Sequence, residues 1–126
     1  MTPTSRGVLL FAHGARDLRW AAPFEAVAAK LRVRNATLQV RLAFLEFMTP
    51  DLMSAGRELA ALGCMRVDVV PLFLGAGGHV RKDIPELLAR LKEQAPEVDW
   101  RLSSAIGEFE TVIDAMAAAA AQIAME

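Results

Sequence analysis

His13 and His79 are the only two histidines in the chain. Neutral imidazole is a common ligand for divalent cobalt, nickel, iron and zinc, and it accepts a proton near neutral pH. His13 directly follows the apolar run Val8-Leu9-Leu10-Phe11-Ala12 and precedes Gly14, while His79 follows Gly75-Ala76-Gly77-Gly78. Glycines at such places let the backbone turn sharply or approach a ligand closely. Glu46, between Leu45 and Phe47, is an acid in an apolar setting, suited to serve as a third ligand or as a general base. Arg16, Arg19, Arg81 and Lys82 lie close to the histidines in sequence and suit the carboxylates of an acidic substrate. Each residue also has a plainer reading: loop histidines bonded to backbone, a solvated carboxylate, a solvated charged face. Two imidazoles do not by themselves complete a metal site.

What weighs for the chemical reading is where the elements place these residues. A first strand over residues 8–12 is continuously apolar, as strands buried on both faces are. After a loop over 13–19, a helix carries Trp20, Phe24, Val27, Ala28 and Leu31 on one stripe, with Pro23 near its start. A second strand over 38–44 alternates Leu38, Val40, Leu42 and Phe44 against Gln39, Arg41 and Ala43. Thr49 as N-cap, Pro50 at the first helical position and Asp51 open a second helix that buries Leu52, Ala55, Leu59 and Leu62 and stops at Gly63. A third strand over 67–72 reads as apolar throughout. A third helix is clearest from Asp83, a cap in capping-box spacing with Glu86, and buries Ile84, Leu87, Leu88 and Leu91. A fourth strand over 98–102 is followed by a helix from near Glu108 with Ile113, Met116, Ala120 and Ile123 facing inward.

Strand and helix thus alternate four times, which predicts an α/β fold: a four-stranded, mostly parallel sheet with helices on both faces. In such sheets ligands bind beyond the carboxyl ends of the strands. The loops at that edge hold His13, then Glu46, then the glycines and His79, then Ser103 and Ser104, so both histidines fall on one edge. The glycine loop has no Lys-Ser/Thr pair and no G-x-G-x-x-G, which leaves a nucleotide site unsupported. A phosphatase using His13 lacks the arginine that precedes the His-Gly pair of histidine phosphatases; Phe11-Ala12 stands there. Cys64, beside the second helix's stop, reads as structural.

Composition bounds the remaining possibilities. The 126 residues make one domain spanning 1–126, and 54% hydrophobic with 23% charged residues is a globular balance. The apolar share is slightly high for one small domain, which points to a homodimer. A net charge of −1 and the absence of tyrosine give no footprint for nucleic acid. The lone cysteine excludes an intrachain disulfide and fits a reducing, cytoplasmic setting. The first apolar run is too short for a signal peptide and the alanines of 115–121 too few for a bilayer, so no membrane association is expected.

Three blocks carry a family resemblance. Val8-Leu9-Leu10-Phe11-Ala12-His13-Gly14-Ala15-Arg16-Asp17, Ala43-Phe44-Leu45-Glu46-Phe47-Met48-Thr49-Pro50, and Val69 to Pro85 through Gly75-Ala76-Gly77-Gly78-His79-Val80-Arg81-Lys82-Asp83 resemble, in order, the blocks of the small class II chelatases, the sirohydrochlorin cobaltochelatase family. The resemblance implies a chelatase fold of flavodoxin-like topology and a lyase-type reaction. That reaction is insertion of Co²⁺, or Fe²⁺ or Ni²⁺, into sirohydrochlorin on the way to cobalamin, siroheme or a nickel tetrapyrrole. The metal would be a substrate, with no organic cofactor. His13 and His79 match the family's metal-binding histidines and Glu46 an acidic position at the same cleft, while Arg16, Arg81 and Lys82 are candidates for the substrate's carboxylates. The length is about half that of two-domain chelatases, implying a homodimer around the macrocycle. A non-catalytic tetrapyrrole or metal carrier with the same fold is the alternative.

Overall fold

The computed structural model describes residues 6–75 and 77–126, the side chains of 78–81 excepted. Four strands, β1 (Arg6–Ala12), β2 (Gln39–Phe44), β3 (Arg66–Pro71) and β4 (Asp99–Leu102), form one sheet in the order β2-β1-β3-β4. Every pairing is parallel. The helices are α1 (Ala22–Arg34), α2 (Leu52–Ala61), α3 (Gly78–Gln94) and α4 (Glu110–Ala124), with short 3-10 helices at Leu18–Ala21 and Ile106–Glu108. The alternating α/β order and the parallel sheet agree with the sequence.

β1 is central, and its apolar run is buried because both of its faces are covered. One face of the sheet, with Leu9, Phe11, Ala43, Val67, Val69 and Trp100, packs under α2 and α3 through Leu59, Ile84, Leu88 and Leu91. The Trp100 indole N–H donates to the Ala95 carbonyl at 3.0 Å, so burying the ring leaves no orphan donor. On the other face Leu10 and Val40 meet Ala28 and Leu31 of α1. Ala43 is fully buried although it falls on the polar side of the alternation in β2, because α2 covers that face too.

Several boundaries differ from the sequence reading. α2 is capped not by Thr49 but by Asp51, whose carboxylate accepts the Ser54 N–H at 2.8 Å. The chain at Pro50 and Asp51 is still engaged with the sheet: Phe44 N–H donates to the Pro50 carbonyl at 2.9 Å, and Asp51 bridges Phe44 in parallel. Gly63 does end the helix, at φ +88. α3 begins at Gly78 with Gly77 as its cap, so Asp83 lies inside the helix and not at its start. β3 is not apolar throughout, since Asp68 interrupts it, half-buried and held by the Arg66 guanidinium at 3.0 and 3.2 Å. Val27 is 45% exposed, not core. The largest departure is α4: none of its residues is buried, and Ile113, Met116 and Ile123 face outward because no other element of the described chain covers them.

Candidate functional site

The carboxyl edge of the sheet is built from the exits of β1, β2 and β3. After Phe44 the chain loops out over residues 45–50 and returns alongside its own strand, which puts Glu46 and Phe47 at a tip. That tip is fastened to the exit of β1: Leu45 N–H donates to the Ala12 carbonyl at 2.9 Å, and Glu46 N–H to the His13 carbonyl at 3.0 Å. Gly14 makes the junction possible. It has φ +93, and a Cβ built there would lie 1.9 Å from the Glu46 carbonyl oxygen. The His-Gly pair of the sequence is thus partly explained by backbone packing: the glycine admits Glu46 next to the histidine.

On its other side, His13 meets the exit of β3. Its imidazole lies 4.8 Å from the Phe73 ring, centroid to centroid, at a 42° tilt. Phe73 is buried and also touches Phe11, 6.1 Å away. The backbone of this exit is secured from the 3-10 helix that follows β4, where Gly107 N–H donates to the Phe73 carbonyl at 2.9 Å. Gly107 comes so close to Leu74 that an added Cβ would sit 2.2 Å from its carbonyl oxygen. His13 is therefore an exposed imidazole on a braced backbone, flanked by Glu46 and Phe73. Such a group is open to a solvated metal ion and to proton exchange.

The remaining candidates fall around this ledge. The backbone of His79 lies in the first turn of α3, directly after the β3 loop, instead of in that loop; Arg81 follows in the same helix. The side chains of His79 and Arg81 lie outside the described residues. Lys82 is exposed on α3 and Glu46 is exposed at its tip. The Arg16 guanidinium stacks over the Phe47 ring at 5.0 Å, a contact worth about 0.5–1 kcal/mol at an exposed site. Phe47 is itself unusual, with φ +66 and 58% exposure. Arg19 is engaged elsewhere: its side chain holds Asp17 at 3.1 and 3.2 Å, and Asp17 also accepts the Arg19 backbone N–H as cap of the 3-10 helix. The Arg19 side chain, then its backbone N–H, hold the Asp17 carboxyl below the usual carboxylate range. Ser103 spends its hydroxyl on the Ser104 carbonyl at 2.9 Å. Among the described residues no three His, Cys, Asp or Glu side chains converge as a ligand set.

Sequence reasoning did not single out Phe47, Phe73 or a cleft of about 410 Å³ on the α2–α3 face near the same edge. Asp51, Asp83, Glu86 and Arg90 line that cleft beside Phe11 and Phe44. A capping-box spacing was the only sequence signal for Asp83 and Glu86, and it pointed to another role. Asp51 is held below the ordinary carboxylate range by the Ser54 N–H it accepts.

The CbiX family model matches residues 7–123. A sirohydrochlorin cobaltochelatase of Saccharolobus islandicus is 40% identical over 112 residues, covering 84% of this chain and 86% of that protein. The crystal structure of a putative cobalamin (vitamin B12) biosynthesis CbiX protein from Marinobacter aquaeolei superposes with a TM-score of 0.83 at 30% identity, over 95% of this chain and 98% of that one. The sirohydrochlorin chelatase SirB of Bacillus subtilis subspecies spizizenii, solved in complex with cobalt, matches with a TM-score of 0.77 at 25% identity, over 87% of this chain but only 47% of its own.

Proposed function

This chain belongs to the CbiX family, and on that premise we propose that it is a chelatase inserting a divalent metal, Co²⁺ foremost and Fe²⁺ or Ni²⁺ as alternatives, into sirohydrochlorin. The metal is a substrate of the reaction. The observation that carries the reading to this chain's own residues is the placement of His13: exposed, at the carboxyl end of the central strand, and braced against Glu46 by Gly14. Support also comes from a relative of the same fold solved with cobalt.

In this proposal His13 and His79 hold the incoming, partly hydrated metal. The macrocycle loses two N–H protons as the metal enters, and neutral imidazoles are suited to receive them near pH 7. Glu46, whose backbone is bonded to that of His13, acts beside it as ligand or base. Arg16, Arg81 and Lys82 meet the substrate's carboxylates, Arg16 from its seat over Phe47. The whole of 1–126 acts as one chelatase domain, and two copies pair so that their carboxyl edges enclose the macrocycle. A cytoplasmic setting accords with the single, buried Cys64. Among the described residues no helix is long and apolar enough to cross a membrane.

The test is anaerobic absorbance of sirohydrochlorin with Co²⁺, with and without the protein. A faster spectral change with protein, recurring over many equivalents of substrate, is the expected result. Binding of metal and macrocycle with no gain in rate for cobalt, iron or nickel would replace the enzyme with a carrier.

A further inference from the structure

Phe47 stands at a loop tip where neither burial nor backbone geometry accounts for a phenylalanine. Its neighbours anchor the loop on opposite faces of the sheet: Leu45 packs on the core under α2 and α3, and Met48 on the cluster with Trp20 and Phe24 at the α1 side. The chain therefore crosses the edge of the sheet through Glu46 and Phe47, and the reversal leaves Phe47 at φ +66. Glycine or asparagine takes that conformation at little cost, whereas a bulky side chain there is strained. The ring gains little burial in return, being 58% exposed. The specific contact it makes is with the Arg16 guanidinium, 5.0 Å from its centroid.

We propose that Phe47 is a positioning residue for the substrate: its ring seats the Arg16 guanidinium at the ledge, with the N–H edge of that cation turned to receive a carboxylate of sirohydrochlorin. The inference rests on the chelatase reading, which supplies the carboxylates. Stacking occupies only the flat face of a guanidinium and leaves the N–H donors of its edge open. Among the described residues Arg16 has no hydrogen-bond or ion-pair partner, and its neighbour Asp17 is taken by the Arg19 side chain. Arg32, Arg41, Arg66 and Arg101, by contrast, bond carbonyls or carboxylates of the chain itself. Arg16 is thus a cation held in place yet uncommitted. It stands on the loop that His13 opens, and the ring that holds it directly follows Glu46. An unseated arginine would lose more side-chain freedom on meeting an anion, and a preformed seat lowers that cost.

A double-mutant cycle on binding of metal-free sirohydrochlorin, titrated anaerobically by absorbance, tests the seat. Phe47→Leu keeps an apolar side chain but removes the aromatic face, and should weaken binding about 2–5-fold, the equivalent of an exposed cation–π contact. Arg16→Gln should weaken it about tenfold or more. Phe47→Leu added to Arg16→Gln should change the affinity no further, because the ring acts through the cation. Phe47→Tyr should bind as the wild type does. Phe47→Gly separates the role from packing: it should bind as weakly as Phe47→Leu yet melt at a higher temperature, since glycine relieves the strain at φ +66. Wild-type affinity in Phe47→Leu would overturn the proposal. So would an equal loss in both Arg16 backgrounds, which would mean that the ring meets the macrocycle by itself. A wild type that does not bind sirohydrochlorin would overturn the seat and the chelatase reading together. A wild type that binds it without accelerating metal insertion would overturn the chelatase reading alone, and the same cycle would still decide the seat.

Discussion

Replacing Gly14 by alanine tests the junction that holds His13 and Glu46 together. The new Cβ would sit 1.9 Å from the Glu46 carbonyl oxygen, more than 1 Å inside the 3.0 Å that real Cβ atoms respect. The obstacle is backbone, so no side-chain rotation relieves it. A non-glycine residue in left-handed backbone costs about 1–2 kcal/mol. Moving Glu46 away loses its N–H bond to His13, about another 1 kcal/mol. The expected loss is about 2–3 kcal/mol, which for a chain of this size lowers the melting temperature by roughly 10 °C. Gly63→Ala is the matched control: φ is +88, but nothing lies within 4 Å of its Cβ, so only the conformational cost of about 1–2 kcal/mol remains. Thermal unfolding should be measured at one protein concentration, because the proposed pairing would make the midpoint concentration-dependent. If Gly14→Ala costs no more than Gly63→Ala and leaves metal insertion at the wild-type rate, the junction does not position the site and the reasoning fails.

Asp51→Ala removes the cap of α2 and should cost about 1 kcal/mol in urea unfolding. Because the Ser54 N–H depresses the folded-state pKa of Asp51 below the ordinary carboxylate range, this stabilisation is present above about pH 4 and lost as the pH falls through the folded pKa. Asp51→Asn should therefore keep the cap while flattening that part of the acid limb, and an unchanged acid limb would contradict the assignment. Burial pushes the Cys64 thiol up, with Arg41 opposing in part. Alkylation at neutral pH should accordingly be far slower in the folded protein than in urea, and equal rates would show the thiol to be accessible.

The sheet was legible because its signals are local: apolar runs for strands covered on both faces, and alternation with helices for parallel crossovers. The placement of His13, Glu46 and the backbone of His79 on one edge followed from the same pattern. What escaped depends on contacts between distant segments. The cap of α2 moved from Thr49 to Asp51 because Phe44 holds Pro50 in an extended path, and no propensity records that bond. Asp83 and Glu86 carry capping-box spacing, yet Gly77 starts α3 upstream of them. Phe73 stacks on His13 only because β3 lies next to β1 in the sheet. The stripe of α4 was expected to face inward and is exposed, because a period says which residues need cover and not which surface provides it.

The central claim is that His13 and His79 receive the metal at the carboxyl edge and take the protons it displaces. Its most direct test measures Co²⁺ affinity and the anaerobic rate of insertion into sirohydrochlorin for the wild type, His13→Ala and His79→Ala. The account predicts that each variant binds Co²⁺ more weakly and loses most of the acceleration. Wild-type affinity and rate in both variants would contradict it and leave the two histidines as structural residues.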